Sequence, residues 1–331
     1  MSVRNGFVLF PALSALMFLA ACGSSNGVSN PVAPPSGQFS NSNLNGSYVF
    51  SVSGTDSNGA AYALAGTITT NGSGGNNKGG ITGGTLDIND IDTQVFTGGP
   101  IAEATINNNG TYSVSVDGRG QFTFGTNISG FPNLTFDFVL TTTGHGLLTE
   151  FDSFGTGSGT IDAQTASVTP SGVYSFNFSG ASYSGSAFAS AGDFTVNSSA
   201  ITGVADFNNG GIQPITAQPL SGTIAVSSSS GPATTITTSG VPTLTFDVFP
   251  IDGQHLKFIE MDENYTLSGD AFAQTATTIG GGTSAFTLDG LLTGDVSFAA
   301  GGFIVTDGAG NITNSSSEDF NANGNVVPSA V

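Results

Sequence analysis

Leu134-Thr135-Phe136-Asp137-Phe138 and, 110 residues later, Leu244-Thr245-Phe246-Asp247-Val248 carry the reading from which the rest follows. In the first stretch large apolar side chains fall at Leu134, Phe136, Phe138 and Leu140, with Thr, Asp and Val between them. That is the two-residue period of a strand with one face in a core, not the 3.6-residue period of a helix. The same alternation marks Tyr48/Phe50/Val52 and Tyr174/Phe176/Phe178. Gly, Asn-Gly and Asp-Gly punctuate such runs at roughly 8–12 residue intervals, as hairpins require.

The offset of 110 also carries His145 to His255, Glu150 to Glu260, Asp152 to Asp262, and Ala163-Gln164-Thr165 to Ala273-Gln274-Thr275. An upstream stretch occurs three times. Its opening stretch is Leu44–Gly54, then Ser171–Gly180, then an eroded Gly282–Gly290, and it closes on Asp87-Ile88-Asn89, Asp206-Phe207-Asn208 and Asp319-Phe320-Asn321. Internal repetition of this kind marks a chain built from copies of one unit. The expected fold is all-β: two full tandem antiparallel modules over 44–166 and 167–277, then a half module over 278–331. Each full module has eight or nine short strands, which suits a small barrel or a sandwich. An eight-stranded barrel is filled by its own side chains or holds one small ligand. The half module cannot close alone and leaves strand edges open, so three expectations stand: pairing with module two, self-association with another chain, or a truncated reading frame.

Composition excludes several functions. Only 4 Lys+Arg stand against 23 Asp+Glu in 331 residues, a formal charge of −19. Such a chain cannot displace counterions from phosphates, which argues against nucleic acid, nor dock on anionic lipid through basic side chains. The 49 glycines are about twice the usual share. With no Trp, the stacking platforms common in carbohydrate binding are scarce.

The first 21 residues read as an export signal: Arg4, an apolar run from Phe7 to Ala21, then small residues. Leu19-Ala20-Ala21-Cys22 resembles the lipobox of bacterial lipoproteins. The resemblance implies cleavage before Cys22, lipidation of that cysteine, and a membrane anchor of more than one acyl chain, enough for stable attachment. Removing Arg4 leaves Lys78, Arg119 and Lys257 against 23 acids, a net −20. No other cysteine remains for a disulfide or a thiolate site. Residues 22–43 are Ser, Asn, Gly and Pro with few large apolar side chains, and read as a flexible tether. The absence of Asp after Cys22 implies, by the same resemblance, the outer membrane of the cell envelope.

The recurring Gly-x-Tyr-x-Phe, Ala-Gly-x-(Ile/Phe), Asp-x-Asn and Leu-Thr-Phe elements resemble the glycine-rich β modules of uncharacterised bacterial envelope lipoproteins. Those are similar to small calycin-type or allene-oxide-cyclase-type barrels. The resemblance covers most of residues 44–325, specifies strands and turns, and implies no activity.

The reactive side chains are few. His145 and His255 stand at strand entrances five residues before Glu150 and Glu260, an odd separation that puts each pair on opposite faces. They read as turn histidines, and no nucleophile-elbow motif accompanies them. Glu150 and Glu260 share a face with Leu148 and Phe258, which read as core-facing. If that face lines a barrel, each is a lumen carboxylate with a raised pKa, able to bind a ligand hydroxyl or act as an acid, with Gln164 and Gln274 as hydrogen-bond partners; if the strand ends at the rim, each is a solvated or satisfied structural group. Asp87, Asn89 and Asp92 place oxygens at spaced positions as calcium loops do, but without the bidentate Glu and fixed Gly of an EF-hand. Asx residues also make turns through their own backbone. No cofactor is expected, and calcium is the one ion the pattern admits.

Two functions follow. One is a non-enzymatic, surface-tethered array of β modules with a binding, adhesive or structural role. The other is a small-molecule-binding or enzymatic barrel that uses Glu150 and Glu260 in its lumen.

Overall fold

A computed structural model describes residues 39–73, 78–91, 99–165, 168–210, 214–225, 233–238, 243–276, 278, 280–292 and 296–330. The export segment, Cys22 and Asp92 lie outside these. Apart from a 3-10 turn at Asn41–Asn43, the described elements are strands.

Barrel one contains β1 (Asn45–Asp56), β2 (Ala61–Asn71), β3 (Gly79–Asp90), β4 (Ile101–Ile106), β5 (Gly110–Val114), β6 (Arg119–Phe124), β7 (Leu134–Thr142), β8 (His145–Glu150) and β9 (Gly155–Ala163). The order is β2-β1-β9-β8-β7-β6-β5-β3, and β3 returns to β2 to close the circuit. β4 lies on the C-terminal part of β3, while β5 takes its N-terminal end. Barrel two contains β10 (Gly172–Ser182), β11 (Ala187–Asn197), β12 (Ala200–Asn209), β13 (Ile215–Thr223), β14 (Ala233–Thr238), β15 (Leu244–Pro250), β16 (His255–Glu260) and β17 (Tyr265–Ala273), closed in chain order. The remaining strands, β18 (Gly282–Leu292), β19 (Val296–Thr306), β20 (Ser317–Ala322) and β21 (Asn325–Ala330), form an open antiparallel sheet. All-β modules, two closed and one half-built, are therefore what the repeats encode.

Alternation explains the barrels. Tyr48, Phe50 and Val52 point inward beside Phe136, Phe138 and Leu148, all buried. Phe50, Phe122 and Phe136 bring ring centroids to 5.0–6.3 Å of one another, and Phe178 lies 4.6 Å from Phe246. These are ordinary aromatic contact distances, so phenyl groups occupy the interior.

One irregularity recurs in all three units. The register of the next strand slips at Asp87, at Asp206 and at Asp319. In the barrels the aspartate accepts the backbone N–H of a residue held at positive φ, Glu103 (60°) in one and Ala217 (53°) in the other. The Asp-x-Asn motif thus marks a β-bulge, whose extra residue increases local bend and twist.

The barrels pack on each other. The outer face of β1–β2 supplies Val49, Ala63 and Ala65, and the second barrel supplies Phe249, Ile251 and Ile259, in one buried cluster. The two alanines let the sheets approach closely.

Candidate functional site

Glu150 ends β8 with its side chain inward, as its parity with Leu148 requires. The Tyr62 hydroxyl donates to Glu150 Oε2, while Oε1 has no hydrogen-bond partner. Tyr62 reaches it because Gly155 and Gly157 leave room: a Cβ on Gly157 would stand 2.2 Å from the Tyr62 oxygen. Phe154 closes over the same ring at 5.1 Å. Burial, with a contribution from nearby Asp152, pushes the Glu150 carboxyl up to about 8. It is therefore a neutral acid at pH 7.

Glu260, its counterpart, is also buried, but its partners differ. Asn89 Nδ2, from the first barrel, lies 2.9 Å from Glu260 Oε2, 2.7 Å from the Glu260 carbonyl oxygen and 2.8 Å from that of Tyr265. Thr266 Oγ1 donates to Asn89 Oδ1 at 3.3 Å, and the Asp262 backbone N–H donates to Glu260 Oε1 at 2.8 Å. Burial and the neighbouring Asp262 carboxylate push Glu260 up to about 11. Asn89 therefore spends its amide on joining the barrels.

Gln164 and Gln274 do not meet these glutamates, which corrects the sequence expectation. Antiparallel pairing sets the end of β8 beside the start of β9, whereas Gln164 follows the end of β9. That puts it roughly 20 Å away along a strand rising about 3.3 Å per residue. Gln164 Nε2 donates to the Pro250 carbonyl at 2.9 Å, and exposed Gln274 contributes its backbone N–H to Val173.

Asp87 faces Asp247 across the same interface. Burial and that second carboxyl raise Asp87 to about 8, and burial raises Asp247 as well. Oδ2 of Asp87 is buried with no ordinary donor near it, so a proton shared with Asp247 satisfies the pair. Among the described residues no group of three or more His, Cys, Asp or Glu is arranged to hold a metal.

A polar row that sequence reasoning missed flanks the apolar contact. Lys257, 1% exposed, places Nζ 2.7 Å from Thr160 Oγ1 of barrel one, 3.0 Å from Asp270 and 3.5 Å from Asp162. His145 Nδ1 lies 2.6 Å from Asp162, and His255 Nε2 lies 2.6 Å from Asp270 while its ring stacks on Phe272 at 4.2 Å. Burial raises Asp270, but the hydrogen bond from His255 and the Lys257 charge outweigh it and hold the carboxyl below its usual range. Both histidines point outward, away from the inner glutamates, and the Thr160 hydroxyl donates to Asp162 at 3.1 Å. Chemically the row is an interface of charges matched across two barrels. The sequence did carry a signal for it. Leu256-Lys257-Phe258-Ile259 is buried on both faces, where the equivalent Gly146–Thr149 alternates.

No family model matches the chain, and no curated protein sequence matches it. Among solved structures it is similar to kievitone hydratase from Nectria haematococca, at 11% identity and a TM-score of 0.28, over 74% of this chain and 94% of that one. At that distance nothing about activity passes from one to the other.

Proposed function

We propose that this chain is an exported lipoprotein, held in the outer membrane of the cell envelope through acylated Cys22, whose barrels serve a binding, adhesive or structural role rather than catalysis. The observation that carries the second part is the cluster of buried, mutually contacting rings inside each barrel. Phenyl rings occupy both interiors, and the inner glutamates are engaged by the protein's own Tyr62 and Asn89. The anchor rests on Leu19-Ala20-Ala21-Cys22 and the tether that follows. Metabolic labelling with a palmitate analogue tests it. The native chain takes the label and fractionates with outer membrane, whereas Cys22→Ser loses both. A C22S chain that keeps its label and its membrane fraction overturns the anchor.

Glu150 Oε1, buried without a partner, favours a second reading in which barrel one takes a small hydroxyl-bearing ligand. Native mass spectrometry of the chain after exposure to envelope extract separates the two. A bound small-molecule mass that disappears in Glu150→Leu supports the ligand reading, and bare chain throughout supports the structural one.

A further inference from the structure

The sheet β18–β21 repeats the first half of each barrel strand for strand. Phe286 opposes Gly302 as Phe176 opposes Gly192 and Phe50 opposes Gly66, and the bulge at Asp319 falls where those at Asp87 and Asp206 fall. Register then fixes which side chains share the face that lines a lumen in the closed barrels. On that face stand Phe286, Leu288, Phe298, Ile304, Phe320 and Val327, the counterparts of residues such as Phe176, Phe178, Phe188, Phe194 and Phe207. The latter are buried, whereas Leu288 is 57% and Val327 52% exposed. Among the described residues the outer edges of β18 and β21 pair with nothing further.

We infer that two copies of the chain close these four-stranded sheets on one another into a third eight-stranded barrel, half from each copy. Three features of the molecule select a second copy. Four strands are half of the eight that close each barrel here. In a sheet of four alternating strands the first and last run in opposite directions. A two-fold axis parallel to the barrel axis keeps strand directions, so it sets β18 antiparallel to the β21 of the other copy at both seams. The contact is self-complementary, as a two-fold interface must be. Six large side chains and two seams bury roughly 500–800 Å² per copy, which reaches the size of a standard stable interface. Glu318 shares the inner face, opposite Gly302, so closure places one carboxyl from each copy inside the new lumen.

Native mass spectrometry of the full chain, released from detergent micelles, reads the state directly. The native chain is expected as a dimer in the micromolar range. Phe286→Glu with Phe320→Glu is expected to weaken dimerisation roughly a hundredfold or more, because each puts a carboxyl, charged or forced neutral, in place of a packed ring in an apolar lumen. Glu318→Gln is expected to tighten it. Thr287→Glu, on the opposite face of the same strand, is expected to leave it unchanged, and the main unfolding transition of the barrels reports that all variants fold. A native chain that is monomeric throughout that range overturns the inference. So does a dimer that survives F286E/F320E, or one lost equally in T287E.

Discussion

In barrel one the carboxyl at the end of β8 is met by Tyr62 of the same barrel. In barrel two the equivalent position opposite a glycine is Phe188, which has no hydroxyl, and Glu260 receives the amide of Asn89 from the other barrel instead. A second pair of positions diverges in the same sense. Leu147, on the outer face of β8, is 49% exposed, and its counterpart Lys257 is 1% exposed between Asp162 and Asp270. Eight strands close each copy, barrel one adding β4 beside β3, and the Glu260 and Lys257 sites differ from their counterparts where one copy covers the other. Duplication supplied the barrels, and divergence at outward positions joined them.

The largest test of that contrast is Lys257→Met. Removing one partner of a buried charge cluster leaves Asp162 and Asp270 facing each other across the interface, at a cost of about 3–5 kcal/mol. Leu147→Lys, the same exchange in reverse on the exposed barrel, should change stability by no more than about 0.5 kcal/mol. Urea unfolding followed by circular dichroism measures both, and equal effects would erase the distinction between the barrels.

Asn89→Ala comes next. It removes the two Nδ2 hydrogens shared among the Glu260 carboxyl and two backbone carbonyls, for an expected loss of about 2–3 kcal/mol. Calorimetry should show the single transition of the fused barrels broadening or splitting as the clamp is lost. Tyr62→Phe makes barrel one resemble barrel two at this position without supplying an Asn89 equivalent, and should cost about 1–3 kcal/mol. If Y62F is neutral while N89A is not, the inner glutamate of barrel one needs no partner and the contrast sharpens further.

The strands, their facing and the three-fold occurrence of the first half-unit were legible because alternation and repetition are local properties. Glu150 could be placed inward from Leu148 alone. The partners were not legible. Asn89 and Glu260 are 171 residues apart, and no pattern within either segment specifies the other. Gln164 was misassigned because adjacency of repeats in sequence says nothing about which end of a strand a residue occupies. Lys257 enters the sequence reading only through the net charge. Only the loss of alternation through Phe246–Phe249 and Leu256–Ile259 signals that both faces of those strands are covered. Asp87 looked like a metal ligand by spacing, and the fold gives it a bulge to pin and a carboxyl to share.

Glu150, Glu260 and Asp87 all have native pKa values raised above those of the unfolded chain. For such groups the native state binds more protons, so their contribution is fully present below about pH 4 and is lost as pH rises through the native values. The dense acidic surface adds self-repulsion in the same direction, so the comparison must be with a variant that keeps that surface. The direct measurement is unfolding free energy from pH 5 to 8 for the native chain beside Glu150→Gln/Glu260→Gln. Two neutral, buried carboxyls predict that the native chain loses stability faster, by up to about 1.4 kcal/mol per pH unit for each glutamate, with the Glu150 share falling to about half as pH reaches 8. Parallel curves would mean that both side chains are already ionised in the folded barrels, and would contradict the account.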